Sequence, residues 1–270
     1  MKQLRLQVAL LACLSFIPVQ AFAQMSLTQA FAGLHSSDAS VRAAANSQIV
    51  NAAEKELTTI EKDTTLLCSS LSDPDPYIRQ QASGILSVIA QLHPEHRTVV
   101  NSCSTALIHS ASDTATRVRI NSLAALAVNA GGPPQAARPA FAAALAEPSD
   151  VYQGLGAFGL LKLGGSDNYQ MVANAIRQTT TNDGKIALMH AITRARVGNA
   201  ALFGVVSNLL YDTNSDVQQA AIDAIGVSAA NKAEAVSALQ NFAGSSSGSS
   251  TIRKAAAARA ERLASQSSIQ

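Results

Sequence analysis

Polar stretches that end on one aliphatic residue recur along this chain, and each opens an alanine-rich segment. Residues 34–42 run Leu-His-Ser-Ser-Asp-Ala-Ser-Val-Arg, and residues 71–79 run Leu-Ser-Asp-Pro-Asp-Pro-Tyr-Ile-Arg. Ser112-Asp113 leads in the same way to Val118-Arg119. Later copies keep a 33-residue spacing: Val118, Val151 and Val217 fall at multiples of it, as do Asp150, Asp183 and Asp216. Leu155, Leu188 and Ala221 follow behind them, and Ala191-Ile192 returns as Ala224-Ile225. Val172 and Ile176 recur as Val205 and Leu209. Anchors at 41, 78, 118, 151, 184, 217 and 252 mark seven units, with Gly184 replacing the aliphatic residue in the fifth.

Each unit reads as two helices. Aspartate, serine or proline before the anchor supplies helix-start chemistry, because a side-chain oxygen can cap free N–H groups and proline fits the first turn. Gly131, Gly164, Gly198 and Gly226 fall near the expected ends of second helices. No apolar–polar alternation of period two is sustained, so strands are not expected. Between Val41 and Lys62 no breaker occurs, and the second helix of the first unit is free to run on. The pattern predicts an all-α chain, an α-solenoid of about seven helical hairpins with a period of about 33–37 residues. A single hairpin cannot bury its apolar faces alone, so stability must come from the interfaces between neighbours. Runs such as Ala43-Ala44-Ala45, Ala124-Ala125 and Ala220-Ala221 allow close helix approach. Arg253, Lys254, Arg259, Glu261 and Arg262 give the final helix the polar outer face a terminal unit needs, and the Gly/Ser stretch 244–250 before it reads as a mobile loop.

The first 23 residues read differently. Lys2 and Arg5 precede an apolar run from Val8 to Val19, and Ala21-Phe22-Ala23 places small residues where a signal peptidase cuts. The expectation is a signal peptide over 1–23, cleaved between Ala23 and Gln24, with residues 24–270 exported to the periplasm or beyond. The run is too short to span a membrane, and no later stretch is apolar enough to do so. Leu10-Leu11-Ala12-Cys13 matches a lipobox, but the apolar core before Cys13 is very short and apolar sequence continues after it, so lipidation is disfavoured. The leader also changes the charge. It holds Lys2 and Arg5 and no acid, so the whole chain's +2 belongs to it and residues 24–270 are neutral. Neutrality excludes nucleic-acid binding by bulk charge, and 4% aromatics with no Trp leave few stacking platforms.

The repeat resembles HEAT repeats, in the form also seen in the phycobilisome-lyase HEAT-like family. The resemblance rests on the openings Asp38/Val41/Arg42 and Asp75/Ile78/Arg79, on the partial copies Val118/Arg119 and Ile252/Arg253, and on the alanine-rich helices that follow. Pro139 is expected inside a first helix, as in many such units, while Tyr152, Lys185 and Gln218 stand near where the family has arginine. The resemblance implies that Asp38, Arg42, Asp75, Arg79 and Arg119 are structural, tying neighbouring units, and that second helices line a concave side. It also implies a non-enzymatic scaffold for a protein or peptide, with no cofactor. A lyase-like enzyme of the same family and a self-associating envelope component are the alternatives. As local pairs, Asp38/Arg42 and Asp75/Arg79 have i, i+4 spacing, worth a few tenths of a kcal/mol when exposed.

Motifs that carry chemistry elsewhere lack their context here. Gly154-x-Gly156-x-x-Gly159 matches a dinucleotide fingerprint but lies in a predicted helix with no strand before it, so close packing is the expected role. Gly244-x-Ser246-x-Gly248 matches a hydrolase elbow but lies in a low-complexity run. His93-Pro94-Glu95-His96, with His109 one element away, offers too few ligands and reads as a solvated helix start. No catalytic, cofactor or metal residue is assigned. Cys68 and Cys103 are 35 residues apart, about one repeat, and both are expected late in a first helix. Equivalent positions on stacked helices are neighbours, so the pair is a candidate disulfide in an exported chain.

Overall fold

The computed structural model describes residues 26–55, 62–129 and 132–266. The leader, its cleavage site, Cys13 and Gly131 lie outside them. Fifteen α-helices and two 3-10 turns, and no strand, make up the described residues. They form seven stacked pairs. The first helices are α1 (Leu27–Leu34), α3 (Thr64–Ser70), the broken helix α5 (Arg97–Ser102) and α6 (Ser104–Ser110), α8 (Arg138–Ala146), α10 (Ser166–Gln178), α12 (Ala200–Leu209) and α14 (Lys232–Ala243). The second helices are α2 (Ala39–Lys55), α4 (Pro76–Leu92), α7 (Thr116–Val128), α9 (Asp150–Leu163), α11 (Asn182–Ala195), α13 (Ser215–Ser228) and α15 (Ser250–Ser265). Second helices pack on one another in chain order. One hydrophobic core runs the length of the stack, from Leu27 to Leu263.

Helix starts follow one local rule. Asp75, Thr181, Asn214 and Ser249 each cap a second helix by accepting a backbone N–H. The apolar anchor is the third helical residue: Ile78, Val118, Val217 and Ile252 are all buried there. The fourth unit departs from the sequence expectation. Val151 is 45% exposed, and the buried residue at the third position is Tyr152, 6% exposed. The helix starts at 116, 150, 182 and 215 are spaced 34, 32 and 33, so the strict 33-residue register slips by one at α9.

In four units the residue after the anchor bonds back to the preceding turn. Arg42 and Arg79 donate through Nη1 to the carbonyls of Ser36 and Asp73, six residues back, and Gln153 donates through Nε2 to Glu147. Arg253 makes the same kind of bond to Gly248. Gln153, not Tyr152, is therefore the fourth unit's counterpart of the arginine. Its Oε1 is one of three side-chain atoms crowding Gly184, where a Cβ would lie 2.6 Å from the Thr179 methyl, 2.7 Å from that oxygen and 2.8 Å from Thr181 Oγ1.

The i, i+4 Asp/Arg pairs do not form. Asp38 and Asp75 accept the N–H groups of Ser40 and Tyr77, and no side-chain hydrogen bond joins either to its arginine among the described residues. The arginines tie the stack together instead. Arg79 reaches the next unit and grips Asp113 with Nε at 2.6 Å and Nη2 at 2.9 Å, the two side chains being 15% and 9% exposed. Arg119 donates to the Tyr152 hydroxyl at 3.0 Å, lies 4.2 Å over its ring, and meets Glu147 at 3.4 Å. Lys185 binds Asp212 at 2.7 Å. Asp73, Asp113 and Asp212 hold equivalent turns, each accepting the N–H two residues on.

These ties make stability pH-dependent. The Arg79 hydrogen bond holds the Asp113 carboxyl below the usual carboxylate range. Burial opposes ionisation of Asp212, but the Lys185 ammonium and the backbone N–H groups of Asn214 and Thr213 together outweigh it, and the net direction is also down. A depressed pKa means that the folded state favours the ionised form. The stabilisation is therefore present above the ordinary Asp value and is lost as pH falls below about 4 through the folded values. The urea midpoint is expected to fall between pH 6 and about pH 3, and to fall less in Asp113→Asn. Arg79→Ala, which strands a mostly buried carboxylate, is expected to cost about 2–3 kcal/mol at neutral pH.

Pro139 lies inside a first helix, in the first turn of α8 directly after the 3-10 turn Gln135–Ala137. The glycine and loop expectations are corrected. Of Gly164, Gly198 and Gly226, Gly164 alone has a positive φ, 73°, directly past the end of a second helix; Gly226 lies within α13, and α11 ends on Arg196 at φ 54°. The 244–249 connection is held by Ser245, which donates to the Phe242 carbonyl and accepts from Ser247 N, and by the Arg253 bond to Gly248.

Candidate functional site

The side of the second helices turned away from the first helices forms a continuous stripe. On α9 it consists of Val151, Leu155, Phe158 and Lys162, and on α11 of Asp183, Ala187, His190 and Arg194, spaced i, i+4, i+7, i+11. On α7 the same face carries Asn121, Ala124 and Val128, and on α4 Gln81, Gly84 and Val88. Tyr77 and Arg117 hold the positions of Val151 and Asp183 on α4 and α7, and between these and the helix ends the small residues Gly84 and Ala124 lie beside a cationic shelf on α9 and α11. The Arg194 guanidinium sits 4.9 Å over the Phe158 ring. Lys162 and His190 make no hydrogen bond or ion pair among the described residues. The acids Asp150, Asp183 and Asp216 stand at the opposite, N-terminal ends of their helices, where the helix dipole favours them. Exposed charge on α9 and α11 is thus split, with acids at one edge and cations at the other.

The glycine fingerprint lies within α9 and is packing. A Cβ at Gly156 would strike the Leu145 backbone and the Phe141 carbonyl, and one at Gly159 would strike the Phe141 ring. Gly154 instead faces Ala187 at an ordinary 3.5 Å. These glycines let α9 lie against α8, and no phosphate-binding turn is formed. Ser246 lies in the 244–249 connection, and no histidine bonds the serines there among the described residues. His93 and His96 flank Glu95 at 3.3 and 3.8 Å in the turn before α5. Among the described residues no group of three His, Cys, Asp or Glu side chains is placed to hold a metal ion.

Cys68 and Cys103 are joined by a disulfide with their Cα atoms 4.9 Å apart. Cys68 lies in α3. Cys103 is not late in a first helix; it is the buried residue at the break between α5 and α6. The break turns its sulfur toward the preceding unit, a feature the helical pattern of 97–110 did not signal.

No family profile and no curated protein matches the sequence. Solved structures do. The HEAT-like repeats protein of the archaeon Thermococcus onnurineus NA1 is similar over 90% of this chain and 98% of its own, with a TM-score of 0.57 at 17% identity. The chain folds as a HEAT-like α-solenoid. Two further solenoids are similar at the level of fold. The complex of CpcE and CpcF of phycocyanin lyase from Nostoc sp. PCC7120 matches over 93% of this chain and 97% of the other, with a TM-score of 0.50 at 17% identity. A designed armadillo repeat protein in complex with the peptide (KR)4 matches over 88% and 99%, with a TM-score of 0.50 at 18% identity. No described helix of this solenoid is long and apolar enough to cross a membrane.

Proposed function

We propose that this solenoid is an exported, non-enzymatic scaffold that docks a protein segment across the inner stripe of its second helices. The observation that carries the reading is the shelf of Lys162, His190 and Arg194 beside the small-residue floor of α4 and α7. A rigid stack presents that stripe without rearrangement, and repeat proteins use such extended faces for binding. The armadillo neighbour holds a lysine–arginine peptide, whereas the shelf here is cationic. Its complement is an acidic segment, with a carboxylate over Lys162 and Arg194 and an aliphatic side chain over Ala124 and Val128. Export rests on the leader pattern of residues 1–23.

Two measurements test this reading. The N-terminus of the protein recovered from the cell envelope is expected to be Gln24; an intact Met1 would end the export proposal. Affinity capture from envelope extracts should retain one stoichiometric partner on the wild-type chain. The same partner should be lost, with a drop of about 100-fold in affinity, from the double variant Lys162→Glu/Arg194→Glu. Equal retention by both chains would remove the shelf from the function.

A further inference from the structure

The outer layer of first helices is unevenly closed. α10 packs closely on α12, whereas α12 and α14 pack only loosely, and a groove of 580 Å³ opens between them. One wall carries Phe203 and Ser207 of α12 and, in the turn just past its end, Tyr211. Tyr211 is 48% exposed, yet its ring is held edge-on against the buried Phe242 ring, centroids 5.3 Å apart. A chain with few aromatics thus places one as a fixed shelf at the rim of a groove.

The polar lining is nearly all uncharged. Asn208, Ser237 and Asn241 spend no side-chain atom on the protein among the described residues. Asn231 uses only Oδ1, as the cap of Glu234 N, which leaves its amide N–H groups for a ligand. Ser207 Oγ is buried without a partner. Glu234 is the sole charge among the lining residues, and no lysine, arginine or histidine is present. An anion therefore finds no counter-charge here. A purely apolar ligand would bury these amides unpaired, each at a desolvation cost. The fitting ligand carries many neutral hydroxyl or amide groups and also an apolar C–H face to lie on an aromatic ring. That combination describes a pyranose.

We propose that this groove binds a short neutral oligosaccharide. One sugar ring stacks on Tyr211, and its hydroxyls bond to Asn208, Asn231 and Asn241. The site is on the opposite face of the stack from the inner stripe and does not depend on protein docking there.

The test titrates N,N′,N″-triacetylchitotriose, maltotriose and cellotriose separately into the purified protein. Binding is followed by amide chemical shifts and by tyrosine fluorescence, which is readable because the chain has no Trp. Saturable binding of at least one trisaccharide is expected. Tyr211→Ala should weaken it about tenfold or more, and Tyr211→Phe should largely retain it. Asn241→Leu, an exposed change that leaves the stack intact, should weaken it as well, with an unchanged melting temperature. That second variant keeps the proposal testable if Tyr211→Ala does not fold. Absence of saturable binding by all three sugars up to about 10 mM would overturn the proposal. So would binding that Tyr211→Ala and Asn241→Leu leave unchanged.

Discussion

Gly156→Val is expected to destabilise the protein by about 3 kcal/mol or more, enough to uncouple its two halves. The added Cβ would meet the Leu145 amide nitrogen, its Cα and the Phe141 carbonyl, all backbone atoms that cannot rotate away. Relief requires α9 to move off α8, and α9 also packs on α7 and α11. Gly154→Ala, two residues away in the same glycine pattern, is the control. Its Cβ would find Ala187 at 3.5 Å, an ordinary contact, and alanine is the better helix former by about 1 kcal/mol, so this variant should be neutral or slightly stabilised. Urea unfolding of both variants separates the two outcomes. A nucleotide-binding role for the fingerprint would instead make both changes matter to ligand and neither to folding.

Removing the disulfide is expected to have the next largest effect. Cys68 and Cys103 enclose a 35-residue interval, for which the chain-entropy model gives about 3.8 kcal/mol at 25 °C. The double variant Cys68→Ser/Cys103→Ser should lose somewhat more than the bond itself contributes, because Cys103 is buried and its replacement puts a hydroxyl among apolar neighbours. Cys68→Ala/Cys103→Ala avoids that cost and isolates the cross-link. Intact mass with and without reductant reports the bond directly. Two free thiols in the exported protein would contradict it, and an unchanged urea midpoint in the alanine pair would show that it contributes nothing to stability.

The helical pairs and their number were legible because every unit must bury the same faces, which fixes the spacing of anchors such as Ile78, Val118 and Val217. Single-residue slips were not. Val151 continues the 33-residue count yet points outward, because α9 begins one residue late in that count and brings Tyr152 to the anchor position. Tyr152 then serves Arg119 through both its hydroxyl and its ring. The ties between units were only half visible. Arg79 and Lys185 stand at regular helix positions, but their acceptors Asp113 and Asp212 lie in turns of the next unit, and a local reading favoured the nearer Asp75. The recurring signal was an aspartate two residues before each cap position, at 73, 113 and 212. The groove at Tyr211 had no sequence signal, since it arises from the spacing between α12 and α14 and not from either helix alone.

The central claim is that a partner docks on the inner stripe of the second helices, and hydrogen exchange of the captured complex tests it most directly. Protection on partner binding is predicted across residues 120–128, 155–162 and 187–194, with α10, α12 and α14 unchanged. Protection confined to those first helices, with the inner stripe unaffected, would contradict it.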